Sequence, residues 1–407
     1  MQIVSQSPQS AATQASPRDI LVVARTFLPH EGGIEEYVYN RCLQDSGRVI
    51  LLTASCEGDD DFDAQQAFSI YRWWMPDWLP GGALGRVLKQ IFNMVGALMM
   101  SLKLHAEYRY QAIEWGHGYD FPSLWILTYL LPVKAFMYLH GNDLLCPLRS
   151  PLIQIPFALT LRRLQGIVCN SSFTENYLRS HFSLDLKTYV INPTVRPTKF
   201  GLSEGSESSQ TEVQPQLIRN QYGIPESATV LLSVGRLVKR KGFDRVIKNL
   251  PHLLASGRDV HYIICGRGAM QAEFQELAER LGVSDRVHFA GFVSDSDLAS
   301  YYAACDLFTM LTFFDSSASS IEGFGIVYVE AGYFGKPVLA TRIGGVVDAV
   351  HHGENGWLVD PNDADGVTHA LIQLCGDRPL RERLGQKGKE LAQRQTPHRL
   401  IYQAQLS

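Results

Sequence analysis

Short β-branched or aliphatic runs alternate with longer helical patterns along most of the chain, and they do so in two successive series. The runs of the first series are Ile20–Ala24, Val49–Thr53, Ile70–Trp73, Ala112–Trp115, Val133–Leu139, Ile167–Asn170 and Tyr189–Ile191. Those of the second series are Val230–Val234, Tyr262–Cys265, Val287–Ala290, Leu307–Leu311, Val338–Ala340 and Trp357–Val359. Continuous apolar strands separated by helices are typical of parallel sheets covered on both faces. The pattern therefore predicts an α/β protein with two doubly wound, Rossmann-like domains.

The length and the composition fit this two-domain organisation. The chain has 407 residues, of which 45% are hydrophobic and 19% charged, so each half can form a core of ordinary size. The predicted segments are a disordered tail over 1–18, an N-terminal Rossmann-like domain over 19–200, a linker or surface loop over 201–216, a C-terminal Rossmann-like domain over 217–385 and a C-terminal helix over 386–407 that crosses back to the N-terminal domain. The linker is predicted because its sequence is rich in Ser, Glu and Gln and has no large apolar cluster.

Charge, cysteine usage and N-terminal composition limit the partners and the location. Lys and Arg number 37 against 41 Asp and Glu, a formal net charge of −4, so no global positive field recruits a nucleic acid. The seven cysteines are scattered and show no Cys-x-x-Cys spacing, which is typical of a reducing compartment. The polar N-terminus lacks the apolar core of a secretory signal, and the longest apolar runs fall short of the roughly 18 residues of a membrane span. We therefore expect a cytoplasmic protein without a transmembrane segment.

The strongest chemical signal lies between Glu322 and Glu330. Gly323 and Gly325 allow a ligand to approach the backbone, and an apolar helix is expected to start near Ile326. The free N–H groups of a helix start that follows a sheet strand favour an anion such as a diphosphate. One carboxylate lies before the helix and the other about two turns inside it, so the two can bind hydroxyl groups of one elongated ligand. The alternative is that both glutamates are solvated and the glycines only form a turn.

Two cations follow the first strand of the second series. Arg236 comes directly after Val230–Val234, and Lys241 precedes Gly242 where a helix is expected to begin. An arginine can clamp phosphate oxygens with two hydrogen bonds and a lysine adds a compact charge, so the pair can neutralise a diphosphate leaving group without a metal. In isolation, the basic run over 239–241 favours a solvated face instead.

The first half offers two weaker signals. Gly32 and Gly33 lie between the first strand and the next helix, which allows close approach to a phosphate, although a plain turn explains the pair nearly as well. His140 follows the strand Val133–Leu139. Because ligands of such sheets bind beyond the carboxyl ends of the strands, we expect His140 to point into a cleft between the domains. The alternative is a structural histidine.

In order and spacing, these motifs resemble those of the retaining glycosyltransferases of family 4, which have the GT-B fold. The resemblance extends from about 20 to about 374 and is most specific in the second half. The motifs that carry it there are Gly235-Arg236, Lys241-Gly242, Gly266-x-Gly268, Phe289-Ala-Gly291-Phe-Val293, Tyr301-Tyr302-x-x-Cys-Asp306, Glu322-x7-Glu330, Gly344-Gly345 and Asn355-Gly356-Trp357-Leu358-Val359. The wording from Glu322 to Glu330 is particularly similar to bacterial mannosyltransferases that use a lipid-linked acceptor. The resemblance implies two domains that face each other across a cleft, with the acceptor bound to the N-terminal one and the nucleotide-sugar donor to the C-terminal one.

The resemblance also implies roles for individual residues. Arg236 and Lys241 would contact the donor diphosphate, and Glu330 the ribose hydroxyls. Glu322 would hold the hydroxyls of the transferred sugar, and His140 would contact that sugar near the reacting carbon. The other implied donor contacts are the backbone amides near Gly323, Phe324, Gly325 and Ile326, the pair Gly32 and Gly33 over the diphosphate, and Val293 at the nucleobase pocket.

The implied function is the retaining transfer of a hexose, of the mannose or glucose type, from a UDP-sugar or GDP-sugar to an acceptor hydroxyl. The acceptor would be a lipid, a glycan or a small molecule, and the pathway that of a glycolipid or a polysaccharide. Neither a cofactor nor a metal ion is expected. Two other functions remain compatible with the sequence, namely a sugar-nucleotide epimerase of the same fold and a non-catalytic subunit that binds a sugar nucleotide.

One segment of the first half bears on the acceptor. Three tryptophans over 73–78 precede a helical pattern of apolar residues over 84–103, with basic residues at intervening positions. The pattern favours a core helix, because such stripes usually pack inside a fold. The alternative is an interfacial helix that touches the cytoplasmic face of a membrane and meets a lipid acceptor there.

Overall fold

The computed structural model describes residues 18–30, 32–76, 78–79, 81–182, 187–202, 213–316 and 320–394. The predicted tail over 1–18 and the predicted linker over 201–216 lie largely outside the described residues. The same holds for the last part of the predicted C-terminal helix over 386–407, so its return to the N-terminal domain stays a prediction.

The described residues contain two β-sheets. The first sheet contains β1 (Ile20–Val23), β2 (Val49–Ala54), β3 (Ser69–Trp73), β4 (Ala112–Trp115), β5 (Lys134–Leu139), β6 (Gly166–Cys169) and β7 (Thr188–Val190), in the order β3-β2-β1-β4-β5-β6-β7. The second contains β8 (Thr229–Val234), β9 (Val260–Cys265), β10 (Val287–Gly291), β11 (Leu307–Met310), β12 (Val338–Thr341) and β13 (Gly356–Val359), in the order β10-β9-β8-β11-β12-β13. The pairs β1–β2, β1–β4, β2–β3 and β6–β7 of the first sheet and all neighbouring pairs of the second are parallel. This confirms the predicted α/β class with two parallel sheets.

Helices alternate with these strands, as the sequence pattern predicts. They are α1 (Gly33–Gln44), α2 (Asp59–Asp63), α3 (Gly82–Tyr108), α4 (Phe121–Leu130), α5 (Asn142–Leu145), α6 (Pro151–Leu161), α7 (Ser172–His181), α8 (Pro215–Gln221), α9 (Phe243–Ala255), α10 (Gln271–Arg280), α11 (Asp295–Ala304), α12 (Ile326–Tyr333), α13 (Val346–Ala349), α14 (Ala364–Gly376) and α15 (Arg378–Arg394). Short 3-10 turns occur at Pro147–Arg149, Pro197–Phe200, Lys239–Lys241 and Ser284–Arg286.

The second sheet is buried on both faces, which explains why its strands are continuous apolar runs. Val230 and Leu232 of β8 belong to a hydrophobic cluster with residues of α11 and α12. Leu231, which lies between them, belongs to a second cluster with residues of α9 and α14. Because successive side chains of a strand point to opposite faces, a sheet covered on both sides needs an apolar residue at every position.

In each sheet, the chain returns to the first strand of its series before it continues to the other side. In the first sheet β1 lies between β2 and β4, and in the second β8 lies between β9 and β11. At such a switch point the loops that follow the two central strands diverge, and ligands bind in the crevice between them. We therefore expect a ligand site at the segments that follow β8 and β11.

The described residues form two compact units. The first lies within Met1–Gly116 and Asp120–Phe136, and the second within His117–Tyr119 and Met137–Ser407. The second unit thus includes the end of β5, both β6 and β7, and the whole second sheet. The domain boundaries expected at 200 and 217 stay predictions.

Helix α3, in the first unit, has one packed face and one exposed apolar face. The packed side chains include Asn93, Ala97, Ser101 and Leu104, and the indole N–H of Trp73 donates to Asn93 Oδ1 over 3.2 Å. The exposed apolar side chains are Leu84, Val87, Ile91, Val95 and Met99. The core-helix interpretation is therefore wrong for this second face, because Asn93, Ala97 and Ser101 take packed positions while five large apolar side chains lie outside.

The stretch Leu84–Tyr108 of α3 also has the length and composition of a membrane span, with a mean hydropathy of 1.2 over its best window of 18 residues. The uninterrupted apolar runs of the sequence are shorter than a membrane span, whereas a mean over 18 residues tolerates scattered polar residues. Within the structure, 22% of that window is buried.

A buried ion pair in the first unit provides a test of the fold. Arg41 of α1 donates from Nε and Nη2 to the carboxylate of Glu114 on β4 over 2.9 and 2.6 Å, and both residues are buried. Arg41→Met leaves that carboxylate inside the fold without this partner, so we expect the free energy of unfolding to fall by about 3–5 kcal/mol in urea denaturation. Arg378→Met is the matched control, because the Arg378 and Glu382 side chains are 80% and 63% exposed, and solvent screening should leave the stability of this variant close to that of the unmodified protein. Equal losses in the two variants would contradict the buried pair.

Candidate active site

The turn after β8 carries three basic side chains. Arg236 is exposed, and Arg240 and Lys241 lie in the 3-10 turn that precedes α9. Gly242, with φ of 73°, lies so close to the carbonyl group of Leu311 after β11 that a Cβ atom would overlap it. This close approach requires a glycine. It places the basic turn at the switch point between β8 and β11.

Glu322 joins two of these cations in an ion cluster. Its Oε2 atom accepts hydrogen bonds from Lys241 Nζ at 2.6 Å and from Arg240 Nη1 at 2.9 Å. The three side chains are only 11–12% exposed. Burial by itself raises the pKa of Glu322, but Lys241 and Arg240 outweigh that effect and lower the pKa to about 2. Glu322 is therefore a carboxylate throughout the physiological pH range.

The basic turn carries more positive charge than Glu322 can balance. Burial lowers the pKa of Lys241, and the like charges of Arg240 and Arg236 lower it further, while Glu322 opposes the shift. Two of these three cations bind the one carboxylate, so positive charge is left in excess. A bound anion would reduce the repulsion among them, so the electrostatics of this turn favour a phosphate group.

The backbone between Glu322 and α12 allows very close contacts. Gly325, with φ of 88°, is the N-cap residue of α12. No side chain at this N-cap accepts a hydrogen bond from the first turn of the helix. A Cβ atom on Gly323 would overlap the carbonyl oxygen of His140, and one on Gly345 would overlap the carbonyl oxygen of Gly323. The structure therefore brings His140 together with the start of α12, next to the ion cluster of Glu322, Arg240 and Lys241.

Hydrogen bonds within the second unit hold this contact in place. The backbone N–H of His140 donates to Asp143 over 2.8 Å. Asn142 Oδ1 accepts the backbone N–H of Ile321 at 2.9 Å. Asp348 of α13 accepts the backbone N–H at the start of α7, that of Ser172, at 2.6 Å. The ends of β5 and β6 are thereby joined to the segments that follow β11 and β12.

Glu330, the second predicted carboxylate, lies deeper in the unit than Glu322. Lys199 Nζ donates to its Oε1 atom over 2.7 Å, and the Tyr302 hydroxyl donates to its Oε2 atom over 2.8 Å. Glu330 is only 1% exposed. Both oxygens thus already have a protein partner.

The other predicted contact residues lie at strand ends and helix starts. Val293 follows β10 and is half-buried, and Phe324 is buried in the hydrophobic cluster of α11 and α12. Gly32 and Gly33 are exposed at the start of α1, in the first unit. Their predicted roles at the base and over the diphosphate stay predictions.

The sequence alone did not identify Arg240, Lys199 or Asn142 as parts of the site. The basic run over 239–241 was a signal for Arg240, although in isolation it favoured a solvated face. Lys199 has no local signal, because it meets Glu330 across 131 positions of the chain.

No group of three or more His, Cys, Asp or Glu side chains among the described residues is arranged to hold a metal ion. Independence from metals and cofactors stays a prediction.

Comparison with known proteins finds matches to one enzyme family. Residues 215–391 match the family model described as glycosyl transferases group 1. The GDP-mannose-dependent alpha-(1-6)-phosphatidylinositol monomannoside mannosyltransferase of Mycobacterium tuberculosis is 30% identical over 384 residues, which cover 91% of this chain and 92% of that protein.

Two solved structures share the fold over nearly their whole length. The sucrose-phosphate synthase of Thermosynechococcus elongatus is similar with a TM-score of 0.74 and 21% identity, over 92% of this chain and 94% of that one. Anabaena HepE in complex with UDP is similar with a TM-score of 0.72 and 21% identity, over 93% and 95% of the two chains.

A methyl group at Gly323 tests the contact with His140. Because the Cβ atom would overlap backbone, Gly323→Ala must move its segment away from the end of β5, and we expect the free energy of unfolding to fall by about 1–3 kcal/mol. Hydrogen exchange should become faster at the backbone N–H of Ile321, which donates a hydrogen bond to Asn142. Gly47→Ala serves as the control, since nothing lies within 4 Å of its Cβ position, and it should change stability by less than about 0.5 kcal/mol. Unchanged exchange and stability in Gly323→Ala would rule the contact out.

Proposed function

Because the chain belongs to the glycosyl transferases group 1 family, we propose that it transfers a hexose from a nucleotide diphosphate sugar to the hydroxyl group of a lipid acceptor. The family membership and the GT-B fold expected from the motifs are confirmed. The chain is thus a glycosyltransferase. Retention of the anomeric configuration, independence from metals and the identity of donor and acceptor are parts of the proposal.

The observation that supports this proposal most is the ion cluster beside the start of α12. Arg240 and Lys241 both bind Oε2 of Glu322. Their positive charges therefore lie next to the segment that leads into α12. A diphosphate at that helix start would accept hydrogen bonds from backbone N–H groups and would meet the excess positive charge of the basic turn.

The reaction breaks the bond between the anomeric carbon and the phosphate oxygen and forms one between that carbon and the acceptor oxygen. The acceptor hydroxyl proton passes to the departing phosphate oxygen on the same face of the sugar, so no protein nucleophile takes part. Arg236 and Lys241 stabilise the charge that develops on the departing diphosphate. Oε1 of Glu322, which takes neither hydrogen bond of the ion cluster, accepts one from a hydroxyl of the transferred sugar. His140 contacts the sugar near the reacting carbon.

GDP-mannose is the donor that we propose to test first. The M. tuberculosis relative, which matches over nearly its full length, is named as GDP-mannose-dependent and as acting on a phosphatidylinositol monomannoside. UDP-glucose is the second donor, because HepE was solved with UDP. Transfer to a bacterial lipid extract would be measured, with excess EDTA present, as release of the nucleoside diphosphate. The anomeric configuration of the product would be determined by NMR. A product of inverted configuration, or activity abolished by EDTA, would overturn the corresponding part of the proposal.

Removal of the Lys241 ammonium tests the role of the basic turn. We expect Lys241→Met to lower kcat/KM for transfer by about a hundredfold or more, since the loss of one group that stabilises transition-state charge costs that much. Lys248→Met is the control, because its ammonium lies on the surface of α9 and forms an ion pair with Asp244, which is also on α9. Thermal melting checks that both variants fold. Activity of folded Lys241→Met within about threefold of the control would contradict the proposal.

We also propose that the exposed face of α3 lies on the cytoplasmic surface of a membrane, where it meets the lipid acceptor. Trp74 and Trp78 are 63% and 68% exposed before the helix, and tryptophan is enriched at membrane interfaces. The segment 84–103 contains no Asp or Glu, and its basic residues Arg86, Lys89 and Lys103 are exposed, which favours anionic lipids. The packed face of α3 supports a helix that lies on the membrane rather than one that crosses it.

Binding to vesicles tests this surface. We expect Ile91→Asp to reduce partitioning onto vesicles of phosphatidylglycerol and phosphatidylcholine by about tenfold or more, because it puts a charge where an exposed apolar side chain would enter the membrane interface. Leu217→Asp on α8 is the matched control, since that leucine is 57% exposed and Ile91 is 50% exposed. If neither substitution changes sedimentation with vesicles that bind the unmodified protein, α3 is not the contact surface.

A further inference from the structure

The carboxylate of Glu330 on α12 is held by side chains from two distant parts of the second unit. Lys199 donates to one of its oxygens and Tyr302 to the other, over 2.7 and 2.8 Å. Tyr302 is fully buried, and burial raises its pKa well above the ordinary value, so its hydroxyl remains a hydrogen-bond donor. The position of the carboxylate is therefore fixed on both sides.

Lys199 also approaches a second carboxylate. Its ammonium nitrogen lies 3.6 Å from Oδ1 of Asp295, the first residue of α11. The cap of that helix is Ser294, whose hydroxyl oxygen accepts the backbone N–H of Asp297, so capping does not account for the Asp295 side chain. Burial raises the pKa of Asp295, and Lys199 opposes that rise. The ammonium group thus helps to keep Asp295 charged.

The backbone next to Lys199 is anchored in the hydrophobic core. Lys199 belongs to the 3-10 turn Pro197–Phe200. The fully buried ring of Phe200 packs against the rings of Tyr302 and Phe334, with centroids 6.1 and 5.1 Å away. An anchored turn limits the positions that the lysine can reach, so the ammonium group is preorganised at the two carboxylates.

The charge and exposure of this cluster indicate what it can bind. Glu330 and Asp295 place two carboxylates beside the single ammonium group of Lys199, and the charge of Arg196 also lowers the pKa of Asp295. Two carboxylates in one cluster are acceptors suited to neutral hydroxyl donors. A carboxylate oxygen has two lone pairs, so each oxygen of Glu330 keeps an acceptor position beyond its protein partner. The Asp295 side chain is 33% exposed, so a ligand can reach the cluster from that side.

We propose that Lys199 is a positioning residue that holds Glu330 and Asp295 as a pair of acceptors for the two vicinal hydroxyls of the donor ribose. Asp295 is the second carboxylate of this site, which then spans α11 and α12. The inference rests on the proposed function, because it requires a nucleotide bound beside α12. A vicinal diol donates two hydrogen bonds in a fixed geometry, which two carboxylates linked by one ammonium group can accept.

Nucleotides with and without ribose hydroxyls test this inference. GDP and UDP are first titrated by calorimetry, and the one that binds more tightly is compared with its 2′,3′-dideoxy analogue. The unmodified protein should prefer the ribonucleotide by about tenfold or more, as expected for hydrogen bonds to charged acceptors. In Lys199→Met the preference should fall to about twofold or less, with affinity for the dideoxy nucleotide unchanged. Asp295→Asn should reduce it in part, and Lys199→Arg should retain most of it.

The control and the alternative outcomes separate this inference from the proposed function. Lys248→Met, on the surface of α9, should keep the full preference for ribose. Equal weakening of both nucleotides in Lys199→Met would mean a purely structural role, and an undiminished preference would exclude Lys199 from the site; either result overturns the inference. If Lys199→Met does not fold, the same comparison is made with Lys199→Gln and Asp295→Asn. An unmodified protein that binds no nucleoside diphosphate would refute the proposed function itself, whereas one that binds without ribose preference would refute only this inference.

Discussion

The ion cluster of Glu322 with Arg240 and Lys241 determines what the second unit can bind. Taking three charged groups out of water is costly unless they satisfy one another, and here two cations meet on a single carboxylate oxygen. The arrangement leaves the second oxygen for another donor and leaves positive charge in excess. Glycines make it possible, because Gly242 and Gly323 allow the basic turn and the start of α12 to approach neighbouring backbone more closely than any side chain would permit.

Most of the architecture could be predicted from sequence, because a buried parallel strand needs apolar residues on both faces. The alternating faces of β8, with Val230 and Leu232 on one side and Leu231 on the other, show this requirement directly. Glu322 and Lys241, which the sequence singled out as separate signals, both come after central strands and bind each other there. The positions of strand ends can thus be predicted from the sequence, and they identify the edge of the sheet where ligands bind.

Contacts that depend on side-chain reach could not be predicted in this way. The run Lys239–Lys241 forms one 3-10 turn, in which Arg240 and Lys241 bind Glu322 and Lys239 is exposed. Lys199 lies before the second series of strands, yet its ammonium reaches a helix far along the chain. For α3, the helical period was correctly recognised, but periodicity does not tell which of two stripes packs. The stripe with Asn93 and Ser101 faces inward, and large apolar residues remain outside.

The turn Pro197–Phe200 has a consequence for how the C-terminal half can be isolated. The family match begins at 215, and a recombinant fragment cut there would look complete by alignment. Such a truncation would remove Phe200 from the hydrophobic cluster around Tyr302 and leave a hole the size of a benzyl group. It would also remove the ammonium partner of Glu330 from a buried position. An autonomous piece of this protein therefore has to start upstream of Pro197.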